Sequence, residues 1–423
     1  MRVKCRSLLM AIVMMLVFLE CEFNYMLPLG ILSDRESAMM LKTLLCMIAF
    51  VFYKTMCKNV VVAKEIQIIE LIFMIIIPVN MMVSYTTGLT ALDAFLNASH
   101  YFYVFLIEPT LYLLDDEKTK KKLIRYVLMT GCLTIGLRCY MSFYYHNNNH
   151  ALLFPNLSIG AGTKERYNSI FGYNMLRVYP SCLGAVVLFG FAYIFLASKK
   201  TIQKIVSGCI VVLVYLYYFL VYQARSYAVI FGIELFILFL SKKYTTNRSV
   251  KTLVRYIAAA VALVWVLNLP VTKELFTSFQ VNSELGESTS IRMVGITLVF
   301  SKILRTIPVG IGGNSVFDSV AGLIYADDYG FLDFILKNNI CGVIVYVILC
   351  SYICVWLYRT RHTKWNLLMM SMSFVFLASM LSVDNFLPRK IGAFPLIIAV
   401  FEYCRQKAMF SLSNVSEDKT YAK

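Results

Sequence analysis

Apolar runs of about 20 residues, the length a helix needs to cross a bilayer core at about 1.5 Å per residue, recur along this whole chain. A chain so patterned must satisfy its backbone polar groups within each segment, which makes the helix the natural spanning element. A mean hydropathy of +0.70 with 15% charged residues belongs to a polytopic membrane protein and excludes an ordinary soluble domain. Spans are expected near 8–26, 39–57, 66–86, 92–114, 123–143, 174–197, 205–222, 226–241, 255–270, 331–355, 366–384 and 391–404. The expected fold is therefore all-α, with about twelve transmembrane helices in a single domain over 1–410. The N-terminal MRVKCRSLLMAIVMMLVFLE has the basic and apolar parts of a signal peptide without a small-residue cleavage site, and reads as an uncleaved first helix.

Charge fixes the expected orientation. The net charge of +16 could suggest nucleic acid, but its distribution argues otherwise. Every second connection (RVKCR, YKTMCK through AK at 63–64, DDEKTKKKLIR, SKKTIQK, SKKYTTNRSVKTLVR, YRTRHTK), with the C-terminal CRQK and tail, holds basic clusters amounting to 26 of the 40 Lys and Arg. By the positive-inside rule these lie in the cytoplasm, as do both termini, and no nucleic-acid partner is needed. The opposite, external face carries two long loops, about 144–173 and 271–330. Within the second, residues 293–304 place polar groups at 295, 297, 301 and 302, the pattern of an amphipathic helix on the outer leaflet. The loop is expected to fold against the bundle, and the polar segment 411–423 to form a flexible cytoplasmic tail. The 12 cysteines include no zinc-spaced pairs and none in either long loop, so neither a disulfide framework nor a metal site is indicated.

The residues that ask for a function are arginines on the wrong face. Arg166, Arg177, Arg225, Arg292, Arg305 and Arg389 fall at the external boundary, and Arg138 lies about five residues inside a helix end. Burial of such a charge costs about 2.5–3.5 kcal/mol on insertion scales unless it is paired or lines a wet cavity. Snorkelling to headgroups explains one or two of them. A set of guanidinium groups, each able to hold phosphate oxygens bidentately and remain charged, fits an anionic, membrane-borne ligand. Gly310, Gly312 and Gly313 in PVGIGGN could offer backbone amides as an anion nest, or could simply end the surface helix. Asp327 and Asp328 precede the helix at 331 and are either helix-capping charges or, for one of them, a base; Asp34 and Glu36 compete for that role. Glu108 could pair with a neighbouring helix, Glu234 is a thin candidate for a proton relay, and His146 and His150 make a poor metal site.

Three stretches, RYNSIFGYNMLRVYPSCLGAVVLFGFAYIF (166–195), QARSYAVIFGIELFILFLSKK (223–243) and 292–342, together about a third of the chain, give it an arrangement that resembles the O-antigen polymerase and O-antigen ligase superfamily. The shared features are an arginine opening a helix after a long external loop, an Arg-Ser pair at a short external turn, and an arginine-led surface helix followed by P-x-G-x-G. The resemblance implies a metal-independent glycosyltransferase without a cofactor, at the outer face of the bacterial plasma membrane. It would join polyprenyl-diphosphate-linked oligosaccharide repeats into O-antigen, capsular or exopolysaccharide. Membrane lipid and, as partners, flippase and chain-length regulator proteins are implied as well. It assigns Arg225 and Arg292 to the diphosphate and Asp328 to catalysis. Arg166, Arg177, Arg305, the three glycines and Asp327 then fall in substrate binding. Ligases carry a histidine where Asp328 stands here, which favours the polymerase. A flippase or transporter for the same lipid-linked glycan is the rival outside the enzymes; no repeat between the halves supports it.

Overall fold

The computed structural model describes residues 2–26, 34–57, 60–157, 163–168, 173–179, 201–222, 232, 287–313, 316–319, 322–325, 329–363, 365–380, 386–387 and 390–421. Its framework is helical: α1 (Arg2–Glu20), α2 (Arg35–Met56), α3 (Lys64–Thr86), α4 (Ala91–Ser99), α5 (Ile107–Asp115), α6 (Glu117–Asn147), α7 (Thr201–Leu216), α8 (Glu287–Arg305), α9 (Phe331–Arg359), α10 (Asn366–Met380) and α11 (Phe394–Tyr421). Four of these, α2, α3, α6 and α9, are long and apolar enough to cross a membrane. The predicted spans at 226–241, apart from Gly232, and 255–270 lie outside the described residues. Helix starts follow local chemistry: Asp34, Thr90 and Asp116 cap α2, α4 and α6 by accepting from the amides of Ser37, Asp93 and Thr119.

Three expectations are corrected. The start of the 174–197 span is a strand: β2 (Tyr173–Val178) pairs antiparallel with β1 (Thr163–Asn168). A second hairpin, β3 (Val316–Ser319) with β4 (Gly322–Tyr325), sits in the other long connection. The expected flexible tail is helical through Tyr421, with no glycine or proline after Pro395 to stop α11. The 92–114 span is helical but interrupted, with a seven-residue 3₁₀ stretch, His100–Leu106, between α4 and α5.

One apolar core joins α1, α2, α3, α5, α7, α9, α10 and α11. At one end of the bundle it is pinned by Glu402, fully buried on α11, which accepts from Arg405, from the Tyr352 hydroxyl on α9 and from the Ala63 amide before α3. Glu108 on α5 pairs with Lys54 on α2 at 2.5 Å, as its sequence position suggested.

Helix α9 is broken at Asn339 (φ 41°, ψ −116°). In an unbroken helix the Leu336 carbonyl would accept from the Ile340 amide. Here that amide turns to the Pro308 carbonyl, while the Ile311 and Gly312 amides donate to the carbonyls of Leu336 and Lys337 at 3.1 and 3.3 Å. Asn339 Nδ2 holds the Ile303 carbonyl at 2.8 Å, and the Gly313 amide reaches Ser84 Oγ at 2.7 Å. The segment 306–313 thus folds back into the bundle, so the connection does pack against the helices. Irregular backbone is tolerated there because the exposed groups of the loop and of the broken helix satisfy one another. Gly310 is required at this contact: its φ is +90°, and a Cβ would stand 2.5 Å from the Lys337 carbonyl oxygen.

Candidate functional site

The bend after α1 gathers charge. Glu22, at φ 64°, points its carboxylate at Arg138 of α6, the largest fully buried side chain described. Arg138 also donates to the carbonyls of Tyr179 (3.1 Å) and Cys21 (3.5 Å). This is compensation inside the protein, so the snorkelling option is corrected for Arg138: with no exposed surface it cannot reach headgroups. Glu20, two residues earlier at the end of α1, pairs with Lys42 of α2 at 2.8 Å and accepts from the Tyr103 hydroxyl. Two buried carboxylates are thus matched with cations from two other helices, the condition under which charge is tolerated at such a place. Neither glutamate was singled out from sequence. The available signal was their position at the end of the first apolar run, opposite two cations that also interrupt apolar runs.

Next to this pair stands Arg177 on β2. Its Nε donates to the Tyr222 carbonyl at 2.9 Å, and its guanidinium lies 5.0 and 4.9 Å from the ring centres of Tyr179 and Tyr222. Residues 217–221, after α7, are wound as a π-helical turn, which leaves the Tyr222 carbonyl at the end of regular structure and able to accept. The Tyr217 hydroxyl donates to the Val178 carbonyl at 2.8 Å and holds the strand in place. Arg177 is half-buried, and no carboxylate among the described residues is paired with it. Arg138 and Arg177 are linked through Tyr179, whose carbonyl binds the first and whose ring faces the second. The result is a neutralised guanidinium beside one that has no paired carboxylate among the described residues, with aromatic walls that orient it.

The other sequence candidates are placed unevenly. Arg225 follows Tyr222 by three positions and lies outside the described residues, as do Asp327, Asp328, Arg389 and Glu234. Arg166 belongs to β1, opposite Met175. Arg292 is on α8, and Arg305 is exposed at the end of that helix. Tyr329, the residue after Asp328, is buried against α8 at Gly295, where a Cβ would overlap the phenol ring. The start of α9 is thereby packed one helical turn from Arg292. Along α8 a narrow seam of Gly295, Val299 and Ile303 is buried, while Val294, Ile296, Phe300 and Leu304 are exposed. Such an outward apolar face suits an acyl environment.

The amide-nest expectation for the glycines is corrected. Gly310, Gly312 and Gly313 donate to the Thr306 carbonyl, the Lys337 carbonyl and Ser84 Oγ, so these amides are already engaged. Asp34 is the cap of α2, and the Ser37 amide and hydroxyl hold its carboxyl below the ordinary aspartate range, which weakens it as a base. Among the described residues no group of three or more His, Cys, Asp or Glu converges as a metal site would. No family model matches the chain, and no curated protein matches its sequence.

Proposed function

We propose that the protein is a membrane glycosyltransferase that joins polyprenyl-diphosphate-linked oligosaccharide units into a polysaccharide at the outer face of a bacterial plasma membrane. The observation that carries this reading is Arg177, a cation oriented by two rings and a main-chain carbonyl, with no paired carboxylate among the described residues. A fixed guanidinium in a partly desolvated place is suited to a phosphoryl group. In the proposed reaction a sugar hydroxyl of one lipid-linked unit attacks the anomeric carbon of another. The new glycosidic bond forms as the bond from that carbon to the diphosphate oxygen breaks. The leaving diphosphate carries away the electron pair, and prepositioned guanidinium groups meet its growing charge. Arg177 supplies one; Arg225, three residues beyond Tyr222, and Arg292, one turn before Gly295, are the others proposed. Asp328, the residue before Tyr329, is proposed to take the hydroxyl proton.

The rival transporter gains one supporting feature, the break in α9, since discontinuous helices often frame substrate sites. Against it, the Leu336 and Lys337 carbonyls and the Ile340 amide at that break are bonded to the 308–312 segment. Deletion of the gene followed by glycan profiling separates the readings. Accumulation of single-unit glycan is the expected outcome. Loss of transfer to the final acceptor with chain length intact would favour a ligase, and units trapped on the cytoplasmic side would favour a flippase.

A further inference from the structure

Arg177 stands one residue from the end of β2, and a strand end held only by its ladder is free to fray. Alternate residues of an extended chain share a face, and here Arg177 and Tyr179 both turn to Tyr222. The guanidinium lies 4.9 Å from the centre of that ring, and the Tyr179 ring lies 5.6 Å from it. Val178, between them in sequence, is fully buried.

Two side chains from other elements hold consecutive carbonyls at this strand end. The Tyr217 hydroxyl, from the π-helical turn, donates to the Val178 carbonyl at 2.8 Å. Arg138 Nε, from α6, donates to the Tyr179 carbonyl at 3.1 Å. Both donors belong to fully buried residues, so water does not compete for these bonds. The charge of Arg138 is already met by Glu22, and another of its nitrogens faces the Cys21 carbonyl at 3.5 Å. What Arg138 adds toward Arg177 is therefore geometry rather than charge. Its rigid fork ties the end of α1, α6 and the end of β2 into one arrangement.

We propose that Arg138 and Tyr217 are positioning residues for Arg177. By clamping the carbonyls of Val178 and Tyr179 they fix the strand end, and with it the direction in which the Arg177 guanidinium meets a phosphoryl group. The inference rests on the reading of Arg177 as the diphosphate-binding group of a glycosyltransferase and adds what aims it. A misplacement of about 1 Å costs about 10²-fold in rate, so loss of the clamp shows in turnover before it shows in stability.

The test uses full-length protein in nanodiscs and two variants chosen to leave the fold intact. Tyr217→Phe keeps the buried ring and removes only the hydroxyl. Glu22→Leu with Arg138→Met removes the ion pair as a whole, leaving no buried charge behind, and takes the Nε donor with it. In both, kcat on lipid-linked units is expected to fall about tenfold to a hundredfold, with KM within about twofold of the wild type and a similar melting temperature. Calorimetric titration with inorganic pyrophosphate, which carries neither lipid nor sugar, reads the site without turnover. Both variants are expected to bind it about tenfold more weakly, the size of one charge-assisted hydrogen bond. A role confined to stability predicts a lower melting temperature with kcat and pyrophosphate affinity unaltered in the folded protein. That result in either variant would overturn the clamp. Weaker pyrophosphate binding in both variants, when the wild type forms no polymer, would keep the clamp and sink the polymerase reading instead.

Discussion

Arg177→Ala is expected to abolish long-chain glycan while leaving the amount of folded protein in the membrane nearly unchanged. The two halves of this expectation have different physical sources. For stability, the side chain is half-buried and donates a hydrogen bond to the Tyr222 carbonyl; its loss costs about 1 kcal/mol. For turnover, a prepositioned charge aimed at a developing anion is worth about 10²–10³ in rate. Arg177→Lys should fail almost as badly. An ammonium cannot keep the Nε bond to residue 222, the placement between the rings of Tyr179 and Tyr222, and a bidentate face toward phosphate together. Gel profiling of the glycan, beside immunodetection of the protein in membranes, reads both halves. A normal ladder from Arg177→Ala would remove this residue from the site.

Glu22→Ala has the opposite profile: the fold fails and activity falls with it. Arg138 has no exposed surface, and among the described residues the only carboxylate paired with it is Glu22. Without that partner a buried cation remains with two carbonyls and no counter-charge, a change that costs about 3–5 kcal/mol. Removing both charges together, as Glu22→Leu with Arg138→Met, is expected to recover most of that loss, because two apolar side chains need no compensation in this setting. Thermal unfolding in detergent, followed by size-exclusion chromatography, measures the cycle. A single Glu22→Ala variant that melts like the wild type would show that Arg138 is stabilised by its carbonyl bonds alone.

The contrast between these two arginines explains what the sequence could and could not disclose. Arg138 reads as lying about five residues inside a helix end and Arg177 at the external boundary of the same face, and neither position says which of them meets a carboxylate. Arg138 becomes structural because α1 bends at Glu22, a tertiary event. Arg177, with no paired carboxylate among the described residues, is carried by β2 to the end of α7. The strand itself was hidden for a similar reason: residues 173–178 run straight into a long apolar segment, and periodicity separates strand from helix poorly when both faces are apolar. The break in α9 has a signal in the sequence. Asn338 and Asn339, followed by Gly342 inside an otherwise apolar run, are unusual residues for a continuous span, and one of them is the break. By contrast, helix positions read from apolar length alone agree with α2, α3, α6 and α9, where burial of a continuous stretch decides the structure. The re-entrant course of 306–313 depended on which carbonyls α9 leaves open, information no local pattern contains.

The most direct measurement of the central claim takes purified protein and isolated lipid-linked repeat units, with no nucleotide sugar and with chelator present, and counts polyprenyl diphosphate released per unit added to the growing glycan. The expected result is one diphosphate for each linkage formed in wild type, and none above background in Arg177→Ala. Polymer growth without matching diphosphate release, or release that continues undiminished when Arg177 is gone, would contradict it.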